Sequence, residues 1–353
     1  MDMISKLIEL TNSNLPFSDI HIEQDMPVML KFPLGWKEAE GVDIPSISEL
    51  EELLKTLDTN YREVLVKHAI NRSINLSQWR LRINAFLMQC GEKVGMSIRR
   101  LSLHPLPLDK TGLPMSLNLM LESPRGIIFV TGSTGSGKST TIAAMIDAKN
   151  QSSASHIITI EDPIEYLHPR KKALITQREV GPDVGSFNEG VKDAMRQRPD
   201  VIMIGEIRDR DTAETAILAG ESGHLVIASV HGNSAAGAIQ KMLSFFPGQE
   251  REAKAISLSA NTVGIINQIL LPTMDGKGYA LAAEVVFNHK QQFTKVLTDP
   301  DRLNAALERR DDKISIPMMD SLSALVRTGK VSKADAVAAA VGNVALYEKL
   351  TGL

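Results

Sequence analysis

The chain carries one cysteine, Cys90, in 353 residues. A single thiol forms no internal disulfide and cannot build a cysteine-based zinc cage, which needs several thiolates. Aromatic residues amount to 4%, too few to line the stacking channel of an enzyme that translocates single-stranded nucleic acid. Neither sign of charge dominates, since 39 Lys and Arg face 42 Asp and Glu for a formal charge of −3. That balance supplies no global field for nucleic acid, leaving only a local basic patch as a route to binding it. No apolar run approaches the ~20 residues needed to cross a bilayer. The opening MDMISKLIEL contains Asp2 and Lys6 and lacks a cleavable signal pattern. Repeats and low-complexity segments are also missing. Together these absences predict a cytoplasmic protein with at most peripheral membrane contact.

What is present is ordinary in bulk, with 43% hydrophobic and 23% charged residues, and long enough for two domains with separate cores. Residues 1–103 read as a small α+β domain. Alternation predicts strands over Ser18–Glu23 and Val28–Leu30, with turns at Pro27 and Pro33. Helical spacing of Leu50, Leu53, Leu54, Leu57, Val64 and Leu65 predicts a helix from Ser48 to Ala69. Trp79–Phe86 alternates again, with Arg80, Arg82 and Asn84 opposite the apolar face, and Gly91–Arg99 fits as its antiparallel partner. Residues 104–117, with Pro105, Pro107, Gly112 and Pro114, read as a linker because proline supplies no donor for regular pairing. From 118 to 353 short apolar runs (Gly126–Thr131, Ile157–Ile160, Val201–Ile204, Leu225–Val230) alternate with helical stretches, the pattern of a mostly parallel α/β sheet covered on both faces. A polar, helix-rich tail begins near Thr298.

Within this α/β region Gly132–Ser133–Thr134–Gly135–Ser136–Gly137–Lys138–Ser139 matches GxxxxGK[ST] in full, between a predicted strand and a helix beginning near Thr140. Glycines let backbone N–H groups turn inward around phosphates, and the helix N-terminus adds partial positive charge. Lys138 is placed to reach the β- and γ-phosphates of ATP, and the Ser139 hydroxyl to ligate Mg²⁺. The run Val201–Ile204 ends at Gly205–Glu206, so a carboxylate stands where α/β sheets bind ligands. Glu206 is a candidate for orienting the attacking water. Glu161, at the end of another apolar run, is a candidate for holding Mg²⁺ or its water, supported by Asp162 and Glu165, since acids beside a phosphate site repel it unless a cation intervenes. His231 and His224 bracket Leu225–Val230. His231, at the C-terminal end of that strand, is the better placed to sense hydrolysis; His224 lies about six strand residues away.

In order and spacing, the strings TGSTGSGKSTT, ITIEDPIEYLH, TQREVG, RQRPDVIMIGEIRD and ESGHLVIASVHGNSAAGAI resemble the PilT/PilU branch of the secretion ATPases. There they correspond to Walker A, an Asp box, a linking segment, Walker B and a His box. The resemblance is strong from Gly112 to Phe287. It is weaker for SDIHIEQDMPVMLKF and RLRINAF, which look like the family's PAS-like N-terminal domain, and for the retraction-linked C-terminal helices. It implies a RecA-like domain, a homohexameric ring, and ATP and Mg²⁺ bound on Gly132–Thr140. It further implies arginines of the N-terminal domain reaching the phosphates, with Arg82 and Arg99 at the matching positions and Arg80 and Arg100 as alternates. An inner-membrane pilus platform protein and a paralogous pilus ATPase are the implied partners, at the cytoplasmic face of that membrane. Gly232 and Gly220 depart from the family pattern, and one cysteine excludes the paired CxxC zinc motifs of the extension-type ATPases. The same motifs also fit a conjugation or type IV secretion ATPase, and a nucleotide-binding regulatory paralogue of a pilus motor.

Overall fold

A computed structural model describes residues 3–288, 291–310, 312 and 314–340. The chain divides into two compact units, Met1–His104 with Pro272–Tyr279, and Pro105–Leu271 with Ala280–Leu353. No helix among the described residues is long and apolar enough to cross a membrane.

The first unit contains helices α1 (Met3–Asn12), α2 (Ile47–Leu57) and α3 (Tyr61–Lys67). Its strands are β1 (Asp19–Glu23), β2 (Met29–Phe32), β3 (Gly35–Glu38), β4 (Ile70–Leu76), β5 (Trp79–Met88) and β6 (Lys93–Ser102). They form one antiparallel sheet in the order β3-β2-β1-β6-β5-β4. Period-two alternation puts Ile20, Ile22, Leu81, Ile83, Ala85, Met96 and Ile98 into a core shared with Leu7, Leu50, Leu54 and Leu65 of the three helices. The helix expected over Ser48–Ala69 is in fact two. A capping box of Ser46 and Glu49 starts α2, and the Asp58 carboxylate accepts the Asn60 N–H at 2.9 Å. That local bond competes with the helical ladder and breaks it, as short polar side chains do. Strand β4 then begins one residue after the predicted helix end, pairing with β5 from Ile70↔Ala85 to Leu76↔Trp79.

Arg100 is not an alternate for a phosphate-reaching arginine. Its buried guanidinium donates to the carbonyls of Thr11, Ser13, Leu15 and Phe17 and lies over the rings of Phe17 and Trp79 at 3.7 and 4.3 Å. Burial lowers its pKa to about 10, which still leaves it charged at neutral pH. It ties the end of α1 and the following loop to the sheet, a cation where helix carbonyls are unpaired.

The second unit begins with a short 3₁₀ turn, Leu108–Lys110, and α4 (Leu117–Leu121). Residues 104–117 are therefore no free linker from Pro105 onward: Leu108, Leu113 and Leu117 are buried against Ile142 and Met145. Next come β7 (Gly126–Thr131), α5 (Lys138–Ser152), β8 (His156–Glu161), β9 (Leu174–Glu179), α6 (Phe187–Met195), β10 (Val201–Ile204), α7 (Arg210–Glu221) and β11 (Leu225–Val230). After these follow α8 (Ala235–Ser244), α9 (Gly248–Asn261), β12 (Thr262–Pro272), β13 (Tyr279–Phe287), α10 (Pro300–Arg309), α11 (Met318–Arg327) and α12 (Lys333–Ala339). The sheet order is β13-β12-β7-β11-β10-β8-β9, and every pair from β12 to β9 is parallel. Alternate residues of the central strands feed two cores: Phe129, Ile158, Ile202 and Val226 on one face, Ile128, Ile157, Met203 and Ile227 on the other. Strand β9 carries too many polar residues to read as an apolar run, and β12 is interrupted by Asn267 and Gln268. The region expected to be continuous from 118 gives Pro272–Tyr279, the β12–β13 connection, to the first unit. The expected tail forms α10 to α12; its part beyond 340, like Met1 and Asp2, lies outside the described residues.

Replacing Arg100 with alanine strands buried carbonyls, a loss of roughly 2–4 kcal/mol. Urea denaturation should show that destabilisation; a variant as stable as the wild type would refute the anchoring role.

Candidate active site

Parallel pairing sends the C-terminal ends of β7, β8, β10 and β11 to one edge of the sheet, because Val230 pairs with Thr131, and Ile204 with both Ala228 and Ile160. The Walker loop, Glu161, Glu206 and His231 emerge there. Gly132 sits at φ 144° and Gly137 at φ 87°, conformations that L side chains rarely adopt. A Cβ on Gly132 would lie 2.5 Å from both the Gln268 carbonyl and Ser136 Oγ. The loop thus packs flat on β12, where buried Gln268 donates to the Ser136 carbonyl at 2.7 Å. Ser133, Thr134, Gly135 and Ser139 are exposed, whereas Ser136 is buried beneath them. No side chain caps the N-terminus of α5, so its amides remain available to an anion. Lys138 Nζ donates to the Gly132 and Ser133 carbonyls, both at 2.9 Å. Burial holds its pKa below the ordinary lysine range, opposed by the nearby Glu206 and Glu165 carboxylates. Thr140 Oγ1 meets the Tyr166 hydroxyl at 2.8 Å.

Glu206 has a cation or imidazole beside each oxygen. Arg208 Nε donates to Oε2 at 2.6 Å, and His231 Nε2 lies 2.6 Å from Oε1. Arg208 Nη1 stands 3.7 Å from Asp162 Oδ2, so one guanidinium spans the Walker B and Asp-box acids. Motif spacing by itself misses Arg208, a second cation in the catalytic strings; its position two residues after Glu206 was the available signal. Glu161 is 8% exposed. Its Oε1 accepts Thr159 Oγ1 at 2.7 Å and Gln177 Nε2 at 3.2 Å, and Oε2 accepts the Glu165 N–H at 3.4 Å. Burial raises the Glu161 pKa, with these bonds acting against it. His224 lies at the opposite end of β11, bonded through Nδ1 to the Ala219 carbonyl at 3.1 Å, and takes no part in this edge.

In the first unit, Arg82 and Arg99 are cross-strand partners on β5 and β6. Arg99 is exposed and its Nε donates to Asp19 Oδ1 at 2.9 Å. Among the described residues no three His, Cys, Asp or Glu side chains converge as a metal cluster. A divalent ion here would ride on nucleotide phosphates, as Mg²⁺ does in such sites.

A glycine-rich loop feeding an uncapped helix, with acids at neighbouring parallel strand ends, defines a RecA-like P-loop ATPase. Residues 47–310 match the model of the type II/IV secretion system protein family, and the chain belongs to that family, within its PilT/PilU type. It is 43% identical over 209 residues to the type IV pilus ATPase PilU of Pseudomonas aeruginosa, covering 59% of this chain and 54% of that one. The chain thus spans about half of PilU. With the PilT retraction ATPase of the same organism it shares 34% identity over 281 residues, 76% of this chain and 78% of the relative. A crystal structure of the pilus retraction motor PilT with bound ADP superposes with a TM-score of 0.83 at 32% identity, covering 100% of both chains.

Substituting Gly132 with alanine forces a strained φ and a clash with backbone. Affinity for a fluorescent ATP analogue should fall by at least about tenfold; unchanged affinity would show that the loop does not bind nucleotide as its geometry requires.

Proposed function

We propose that this chain works as a homohexameric motor that hydrolyses ATP to retract a type IV pilus, acting on an inner-membrane platform protein, with a paralogous pilus ATPase as a further partner. The observation that carries the chemistry is the convergence of the Walker loop with Glu206, His231 and Glu161 at one sheet edge. Full-length similarity to the retraction motor PilT supports the mechanical role.

ATP phosphates would lie on Gly132–Thr140, with Lys138 exchanging its loop carbonyls for phosphate oxygens. Mg²⁺, held by the phosphates and Ser139 with Glu161 nearby, would neutralise charge on the transferring group. The residues fit it, since Ser139 is exposed on the first turn of α5. Glu206 and Glu161 would position the attacking water, Glu206 through lone pairs that Arg208 leaves open. His231, 2.6 Å from Glu206, would transmit the loss of the γ-phosphate to the loop after β11. Arg82 and Arg99 would add the positive charge that an arginine finger brings, worth ~10³–10⁵ in rate. A motor gains when such charge rides on a separate unit, because turnover is then coupled to motion.

Mg²⁺-dependent ATPase rate per chain should rise with protein concentration as a hexamer appears by native mass spectrometry. Glu206→Gln should lower kcat at least about 100-fold, and Arg82→Ala or Arg99→Ala at least about 10-fold. A rate independent of concentration and indifferent to Glu206 would move the assignment to the nucleotide-binding regulatory paralogue.

A further inference from the structure

Strand β9 contributes a side chain that the proposed chemistry has not used. Gln177 is half-buried and satisfies each part of its amide inside the site's framework. Nε2 donates to Glu161 Oε1 at 3.2 Å and to the Tyr166 carbonyl at 2.8 Å. Its Oε1 accepts the His168 N–H at 3.0 Å. One side chain therefore grips the carboxylate at the end of β8 and both residues flanking Leu167 in the loop that follows. The Tyr166 hydroxyl in turn meets Thr140 Oγ1 at 2.8 Å, one residue after Ser139. β9 holds Gln177 in place through parallel pairing with Thr159, whose hydroxyl is the other donor to Glu161 Oε1.

The consequence for Glu161 is directional. Two donors fix Oε1, while among the described residues Oε2 carries only the long 3.4 Å bond from the Glu165 N–H. A carboxylate with one oxygen pinned and the other lightly held is oriented for work at its free oxygen. A glutamate held only by its own chain would lose that orientation, since supporting hydrogen bonds fix the geometry of reacting groups.

We propose that Gln177 is a positioning residue for ATP hydrolysis: it orients the Glu161 carboxylate and, through Tyr166 and Thr140, registers the Asp-box loop against the first turn of the Walker helix. This rests on the reading of Glu161 as a group that works on the attacking water. Gln177 itself touches no substrate. Its loss should lower kcat far more than it weakens nucleotide binding, because Lys138 and the loop glycines make no bond to it.

The test compares full-length wild type, Gln177→Glu, Gln177→Met and Glu161→Gln at a concentration where the hexamer forms. Gln177→Glu keeps the shape and the acceptor for the His168 N–H but replaces both donors; Gln177→Met keeps bulk alone. Both should lose about 10–100-fold in kcat, with ATP-analogue Kd within about threefold of wild type and unchanged hexamer content. Wild-type kcat in either variant, alongside an inactive Glu161→Gln, would overturn the positioning role and leave the reading of Glu161 standing. An active Glu161→Gln would overturn that reading, and the positioning proposal with it. Equal losses in kcat and analogue affinity would also overturn the proposal, showing a general collapse of the site. Should the Gln177 variants fail to fold, Thr159→Val removes the other donor to Glu161 Oε1; lower kcat at unchanged analogue Kd is then expected, and wild-type kcat would count against orientation through that oxygen.

Discussion

Every group at the candidate site depends on the parallel register of β7, β11, β10 and β8. Parallel strands share a direction, so their C-terminal residues finish on the same edge, and the paired positions here leave no slack of even one residue. A one-residue slip would turn each side chain to the opposite face. The Walker loop, the two acids and His231 would then no longer meet. The register is held by burial: all residues of β7, β10 and β11 are buried, half to each of two apolar cores. The chemistry is polar, but the force that assembles it is hydrophobic.

On that edge, charges are managed by pairing. Glu206 is shared between a guanidinium and an imidazole, and the Arg208 guanidinium also approaches Asp162. Lys138 rests on its own loop carbonyls. Each of these groups keeps a polar atom that can exchange its present partner for an anion or a water. Gln177 and Gln268 instead join β9 and β12 to loop backbone, and Thr159 holds the Glu161 carboxylate.

Arg100 shows how far side-chain identity alone can mislead. It is the same residue type as Arg99, its neighbour on the strand. Strand alternation turns it to the opposite face, where it spends its donors on the end of α1. Asp58 is a second case: apolar spacing runs through it unbroken, and a single hydrogen bond to Asn60 divides the helix.

Local chemistry determined much of this protein directly from its residues. The Walker glycines, Lys138, Ser139 and the acids at the ends of Ile157–Ile160 and Val201–Ile204 could be named as candidates because phosphate binding demands those residue types at a fixed spacing, next to strands apolar enough to read as buried. The division into an antiparallel unit and a parallel α/β unit was legible for the same reason, since a change of hydrophobic period is a local property. Only the tertiary structure decided that Gln268 backs the loop from more than a hundred residues away, that Gln177 reaches Glu161, and that Arg208 and His231 take opposite oxygens of Glu206. Apart from Arg208, which lies two residues from Glu206, these contacts join elements distant in sequence, and polar side chains such as Gln and Arg carry no periodic signal of where their donors end. Their partners are fixed by packing, which no local pattern records.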